Sequence, residues 1–148
     1  MRIVKVLFVL TLVVALGACS CRTRKVGDGD NIGSVGTASE LNDINFAFDS
    51  YALDGQAKTL LQKNAAWLQK NSSAIVQVEG HCDERGTNEY NMVLGANRAR
   101  AAQDYLRSQG VSADRLSTVS YGEELPLDTA HNEAAWAKNR RNHFIVQK

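Results

Sequence analysis

Alternating apolar and polar residues predict four short β-strands. The first prediction is a strand over 43–48, in which Ile44, Phe46 and Phe48 share the buried face. The other predicted strands cover 74–80, 116–121 and 143–147. A period of two is expected of strands that pack one face against a core, so these four segments predict a sheet.

Apolar residues at helical spacing predict three helices between these strands. The first begins at an N-cap, Asp54, and runs to about Lys70. The second is capped by Thr87 and stopped by Gly110, and the third is a short helix over 133–140. The inward stripe of the second helix is mostly small, which predicts close packing on the sheet: Gly95, Ala99, Ala102 and Leu106.

Strands separated by helical segments predict a two-layer α/β fold, an α+β sandwich of one sheet and one helical layer. Periodicity leaves the strand order open. The 148 residues suffice for one domain with its own core. Their 17 basic and 16 acidic residues lack the strong basic excess of a nucleic-acid-binding surface.

The N-terminal 18 residues have the pattern of a secretory signal. Arg2 and Lys5 precede a short apolar run over 6–16, which is too short for a good permanent membrane span. The following Leu-Gly-Ala-Cys resembles the lipobox of bacterial lipoproteins, in which a cysteine, here Cys19, carries the lipid. The alternative is an ordinary secretory cleavage site that happens to precede a cysteine. Ser20 after Cys19 resembles lipoproteins that are sorted to the outer membrane.

Residues 19–39 are expected to form a lipidated N-terminus and a flexible linker, ahead of a folded domain over 40–148. The linker is rich in glycine and shows neither helical nor alternating apolar spacing. About 20 flexible residues have a root-mean-square span near 25 Å. A linker of this length would let a membrane-anchored domain reach a partner a few nanometres away.

The candidate chemistry is concentrated in residues 80–98, which read GHCDERGTNEYNMVLGANR. Asp83 lies near the end of a predicted strand, and Arg98 lies in the following helix on the same face as Asn91 and Leu94. A carboxylate and a guanidinium across one cleft suit a ligand that carries both an ammonium and a carboxylate. Two open alternatives are a surface ion pair for the charges and simple core packing for Leu94.

These residues resemble the OmpA-like peptidoglycan-binding domains and, within them, the peptidoglycan-associated lipoprotein (Pal) family. The matching segments are GHCDERGT at 80–87, EYNMVLGANRA at 89–99, VSYGEELP at 119–126 and HNEAAWAKNRR at 131–141. The resemblance implies a mixed sheet of about four strands with helices packed on one face. It also implies a non-enzymatic, periplasmic domain held at the outer membrane by lipid on Cys19, with no other cofactor.

The resemblance assigns roles to six residues. Asp83 and Arg98 match the pair that holds diaminopimelate of the peptidoglycan stem peptide in this family. Phe48 and Asp49 match residues of the same cleft, and Asn91 and Leu94 would add a polar contact and its floor. The implied partners are peptidoglycan and TolB, with TolA as a further candidate, in the Tol–Pal system of envelope integrity and cell division. A wall-binding lipoprotein outside that system is the first alternative.

An enzyme that uses Cys82 is the second alternative. Strand parity places Cys82 on the face of Val76 and Val78, and places His81 on the opposite face, so the imidazole is badly placed to activate the thiol. We therefore expect Cys82 to be a buried structural residue. The three histidines, at 81, 131 and 143, lack the spacing of a zinc site. Trp136 is expected in the core. Two interpretations remain open for Asn139-Arg140-Arg141: a solvated helix end, or, as the resemblance implies, a family signature close to the cleft.

Overall fold

The computed structural model describes residues 40–147. The predicted signal segment, the lipidation at Cys19 and the linker lie outside the described residues. The elements, in chain order, are β1 (Ile44–Asn45), α1 (Gly55–Lys70), β2 (Ile75–His81), α2 (Asn88–Ser108), a short 3-10 helix (Ala113–Arg115), β3 (Leu116–Gly122), α3 (Glu133–Asn139) and β4 (Arg141–Gln147).

The four strands form one mixed sheet in the order β1-β4-β2-β3. Strands β2 and β3 are parallel, which requires the crossover through α2, whereas β4 pairs antiparallel with both β1 and β2. The last strand in sequence therefore lies inside the sheet. The prediction of a two-layer α/β fold with a mixed sheet of about four strands is confirmed.

Both long helices begin at the predicted caps. The Asp54 carboxylate accepts a hydrogen bond from the Ala57 N–H at 2.7 Å, and the Thr87 hydroxyl accepts one from the Tyr90 N–H at 3.2 Å. Each helix buries an apolar stripe against one face of the sheet. The core contains Leu41, Ile44, Phe46, Ala57, Leu61, Ala65, Leu68, Val76, Val78, Ala99, Ala102, Leu106, Val111, Leu116 and Phe144.

Helix α2 lies unusually close to β2 because glycines face each other at the contact. A Cβ atom added to Gly80 would lie 2.6 Å from the carbonyl carbon of Gly95, far inside van der Waals contact. A Cβ atom on Gly95 would lie 2.9 Å from the carbonyl oxygen of Gly80. The small stripe of α2 thus has the predicted consequence of close packing, and this contact fixes how far Arg98 stands from the end of β2.

The first strand is much shorter than predicted, and its predicted face is wrong at one residue. Ile44 and Phe46 are buried, but Phe48 is 56% exposed. The cause is Arg140, whose carbonyl accepts from the Phe46 N–H at 2.9 Å while its Nε donates to the Phe46 carbonyl at 3.0 Å. After Phe46 the chain turns away, Asp49 adopts a positive φ of 52°, and Phe48 faces outward.

Candidate functional site

A pocket of about 210 Å³ lies where the end of β2 meets the middle of α2. Its small volume suits the end group of a ligand rather than a whole drug-sized molecule. All six residues that the sequence singled out line it: Phe48, Asp49, Asp83, Asn91, Leu94 and Arg98. The structure thus brings the predicted residues together, while their contacts with a ligand stay a prediction.

Arg98 is fully buried, and most of its donors are used within the protein. Its Nε donates to the Ser50 carbonyl at 2.8 Å, and its Nη2 donates to the Ala47 carbonyl at 3.2 Å. Its Nη1 donates to the His81 carbonyl at 2.8 Å and to the Cys82 sulfur at 3.5 Å. Since a guanidinium has five N–H groups, these four bonds leave one Nη2 N–H for the pocket. Arg98 therefore ties the loop after β1 to the end of β2.

Asp83 is also buried, at 4% exposure, and its carboxylate is paired with arginines other than Arg98. Oδ1 accepts from the backbone N–H of Arg85 at 3.1 Å and from its Nε at 3.2 Å. Oδ2 accepts from Nη2 of Arg85 at 2.7 Å and from Nη1 of Arg140 at 3.1 Å. Burial would raise the pKa of Asp83, but the hydrogen bonds from Arg85 and Arg140 outweigh it and hold the pKa below its ordinary value.

This geometry corrects the picture of two open charges facing each other across a cleft. Asp83 and Arg98 belong to one pocket, but both are nearly sealed from solvent and both already have partners inside the protein. The alternative of a surface ion pair is wrong too, because neither side chain is exposed. A ligand can reach the Asp83 carboxylate only if one of its arginine partners gives way.

The loop that follows β1 forms one wall of the pocket. Asp49, in its left-handed backbone conformation, accepts a hydrogen bond from the hydroxyl of Tyr90 on α2. Phe48 lies flat against the guanidinium of Arg85, whose Cζ is 3.9 Å from the ring centroid. Phe48 is thus part of the pocket mouth, whereas its sequence parity had predicted a place in the core.

Asn91 and Leu94 share the buried face of α2 with Arg98, as predicted. The Asn91 amide donates to the carboxylate of Glu123 and to the carbonyls of Asp83 and Arg85, at 3.2 and 3.3 Å for the carbonyls. These bonds hold the turn after β2 against the helix, so Asn91 shapes the pocket. Leu94 is 8% exposed and lines the pocket.

Arg140 lines the pocket, as the resemblance implies for the Asn139-Arg140-Arg141 segment, whereas the sequence predicted no role for Arg85. Arg140 is buried and joins Asp83 to Glu133, where its Nη2 donates to Oε1 at 2.8 Å, so it is not at a solvated helix end. Arg85 pairs with Asp83 and lies 4.4 Å from the Trp136 ring. Trp136 is half-buried and donates from Nε1 to Glu84 at 2.8 Å. The only sequence signals were the charged turn after Asp83 and the Asn-Arg-Arg segment.

Cys82 is buried at 2% exposure, as predicted, and its thiol donates to the Asn91 carbonyl at 3.3 Å. Burial raises the pKa of Cys82 to about 11, so the thiolate is scarce at neutral pH. His81 stacks on Tyr121, with centroids 5.6 Å apart, and neither of its ring nitrogens has a hydrogen-bond partner. Thiol and imidazole are therefore not arranged as a nucleophile with its base.

The described range, residues 40–147, also bears on metal binding and on membrane spanning. Within that range, His, Cys, Asp and Glu side chains do not gather in groups of three or more that could hold a metal ion. The described helices also include none with the length and apolarity needed to cross a bilayer.

Comparisons with known proteins identify relatives of this chain and of its fold. A sequence profile described as the OmpA family matches residues 45–140. A peptidoglycan-associated lipoprotein of Pasteurella multocida is 41% identical over 143 residues, covering 95% of each chain. One of Haemophilus influenzae is 43% identical over 146 residues, again covering 95% of each.

Solved structures show the same fold. The peptidoglycan-associated lipoprotein from Burkholderia pseudomallei superposes with a TM-score of 0.69 at 40% identity, over 71% of this chain and 89% of that one. The C-terminal domain of MotB from Helicobacter pylori superposes with a TM-score of 0.68 at 24% identity, over 73% and 85% of the two chains. The second likeness is one of fold alone.

Proposed function

The chain belongs to the OmpA family, and from this premise we propose that it binds peptidoglycan non-covalently through the pocket formed by Asp83 and Arg98. The names of the relatives support the ligand class, because those proteins are called peptidoglycan-associated lipoproteins. The single observation that carries the proposal is that six residues matched to the family's cleft line one pocket.

The expected ligand group is diaminopimelate of the stem peptide. Its ammonium would replace an arginine donor at the Asp83 carboxylate, whose low pKa keeps it charged. Its carboxylate would accept from the remaining Nη2 N–H of Arg98. Leu94 would contact the methylene chain between them, and the Phe48-Asp49 loop would close over the group.

The proposal also includes a lipid anchor in the outer membrane and a role in the cell envelope. Lipid on Cys19 would hold the chain in the outer membrane, and residues 22–39 would let the domain reach the wall in the periplasm. A non-covalent grip is reversible, so protein partners such as TolB and TolA could compete for the domain. This would place the chain in the Tol–Pal system of envelope integrity and cell division.

We infer a binding protein rather than an enzyme. The relatives are named peptidoglycan-associated lipoproteins, and Cys82, the candidate nucleophile, is buried with its pKa raised to about 11. A catalytic cysteine needs a partly exposed site that lowers the thiol pKa, whereas burial raises the pKa of Cys82 even though Arg98 lies beside its sulfur. The hydrogen bond from the Cys82 thiol to the Asn91 carbonyl supports a structural role for this residue.

The test is retention on purified sacculi, with and without an excess of a free diaminopimelate-containing stem peptide. Free peptide should release the wild-type protein, and Asp83→Asn should be retained poorly. Arg107→Gln is a control, because Arg107 is exposed and, among the described residues, forms an ion pair with Asp104 alone, on its own helix. The proposed site would be contradicted if free peptide did not release the wild-type protein, or if Asp83→Asn were retained as well as wild type.

A further inference from the structure

The strongest unexplained feature of the pocket is the position of Arg85. Its guanidinium bonds both oxygens of Asp83, from Nε at 3.2 Å and from Nη2 at 2.7 Å. The same guanidinium lies between two aromatic rings, 3.9 Å from the centroid of Phe48 and 4.4 Å from that of Trp136. A carboxylate with two ring faces is an arrangement that binds organic cations.

The Asp83 carboxylate has no vacant place for a second cation. Two ionised oxygens accept about four hydrogen bonds. Arg85 supplies three of these from its backbone N–H, Nε and Nη2, and Arg140 supplies the fourth from Nη1. An incoming ammonium therefore has to displace one of the two guanidinium groups.

Arg85 is the one that can leave. The side chain of Arg140 is 8% exposed and is held by the Phe46 carbonyl at 3.0 Å and by Glu133 at 2.8 Å. The side chain of Arg85 is 31% exposed, and within residues 40–147 its one other ion pair is a 3.5 Å contact with Glu133. Its ring contact with Phe48 also lies at the surface, since Phe48 is 56% exposed.

We propose that Arg85 is a built-in competitor, which fills the cation subsite of the pocket until a ligand ammonium replaces it. This inference rests on the proposed function, in which Asp83 receives that ammonium. On displacement, Arg85 swings toward Glu133, and the faces of Phe48 and Trp136 become available to the ligand cation. Arg85 thus lowers the affinity for the ligand and makes the site selective for groups that outcompete a guanidinium.

The inference predicts an unusual sign for a charged residue in a binding pocket. The observed affinity equals the intrinsic affinity multiplied by the fraction of molecules whose subsite is open. A bidentate pair with Asp83 and two ring contacts should keep that fraction at roughly one tenth. Removing the competitor should therefore strengthen binding about tenfold, whereas removing a ligand contact would weaken it.

The experiment is isothermal titration of the whole protein with a soluble diaminopimelate-containing tripeptide stem. The variants are Arg85→Gln, Asp83→Asn and the exposed control Arg107→Gln. We expect about tenfold tighter binding for Arg85→Gln, wild-type binding for Arg107→Gln and loss of binding for Asp83→Asn. Unchanged or weaker binding of Arg85→Gln, with binding still lost in Asp83→Asn, would overturn the competitor role and leave the proposed function standing.

A second readout separates displacement from a general change in charge. The Trp136 indole N–H bonds Glu84 and its ring contacts Arg85, so its NMR signal reports on Arg85. In wild type, saturating stem peptide should shift this signal, because Arg85 leaves the Trp136 ring. A signal unmoved by saturating peptide would also overturn the proposal. Wild-type binding by Asp83→Asn would instead refute the proposed function itself.

Discussion

Replacing Gly80 with alanine should separate α2 from the sheet and destabilise the domain. The added Cβ would lie 2.6 Å from the carbonyl carbon and 3.1 Å from the Cα of Gly95, both backbone atoms that cannot rotate away. Ordinary carbon contacts need about 3.5–4.0 Å, so the helix has to move by roughly 1 Å. A gap of that size forfeits a quarter to a half of the dispersion energy of the contacts that it opens.

Overpacking of a core typically costs about 1–3 kcal/mol, and a clash with fixed backbone belongs at the upper end. We expect Gly80→Ala to lower the free energy of unfolding by about 3 kcal/mol, which corresponds to a fall in Tm of roughly 10 °C. The free energy would be measured by urea denaturation followed by circular dichroism, with the m-value checked for constancy.

Gly55→Ala is the matched control for this experiment. A Cβ at Gly55, the first residue of α1, would meet no atom within 4 Å, and its φ is not in the left-handed region. The same chemical change should therefore be neutral or stabilise by about 0.5 kcal/mol, since alanine restricts the unfolded chain. If Gly80→Ala stays within about 0.5 kcal/mol of wild type, the close approach of helix and strand is not what holds the pocket.

Three further predictions follow from other contacts. Arg98→Lys should lower the free energy of unfolding by about 2–4 kcal/mol in a denaturant titration. An ammonium cannot reach the Ala47, Ser50 and His81 carbonyls together and leaves some of them unpaired. A loss under about 1 kcal/mol would contradict this. Burial lowers the pKa of His81 to about 4. As the pH falls from about 6.5 to 4, the His81 imidazole therefore takes up a proton in the unfolded chain but not in the folded one. The free energy of unfolding should fall by about 3 kcal/mol over that window. The variant His81→Phe should lack this component, and equal pH dependence in both proteins would refute the assignment. Thr87→Ala removes the N-cap of α2 and should cost about 1 kcal/mol in the same titration, with Thr87→Ser restoring most of it.

The sequence predicted those elements whose signals are local. Asp54 and Thr87 cap their helices within three residues of themselves, so both helix starts could be read directly from the chain. Strand order could not be read in this way, because β4 pairs with β1 across nearly the whole domain, as Ile44 does with Asn142. Pairing at that distance depends on packing rather than on any short pattern.

The same distinction holds for the site. Four of the pocket residues lie within one strand–turn–helix unit: Asp83, Asn91, Leu94 and Arg98. Their short separation in the sequence allowed them to be predicted as one cluster. The partners of Asp83 depend on where the turn directs Arg85 and where α3 delivers Arg140, 57 residues away. The error at Phe48 has a similar origin, because the remote Arg140 ends the pairing of the first strand at Phe46.

The inner position of β4 sets the order in which the molecule can be completed. A chain that leaves a ribosome or a membrane pore amino end first presents β1, β2 and β3 before the strand that must lie between β1 and β2. Until β4 emerges, β1 has no neighbour in the sheet, and the Asn142 amide cannot reach the Arg98 carbonyl that it bonds at 2.8 Å. Arg140 arrives in the same last segment. An emerging chain therefore cannot complete the sheet, or the contacts around Arg98 and Arg140, until this last strand is available.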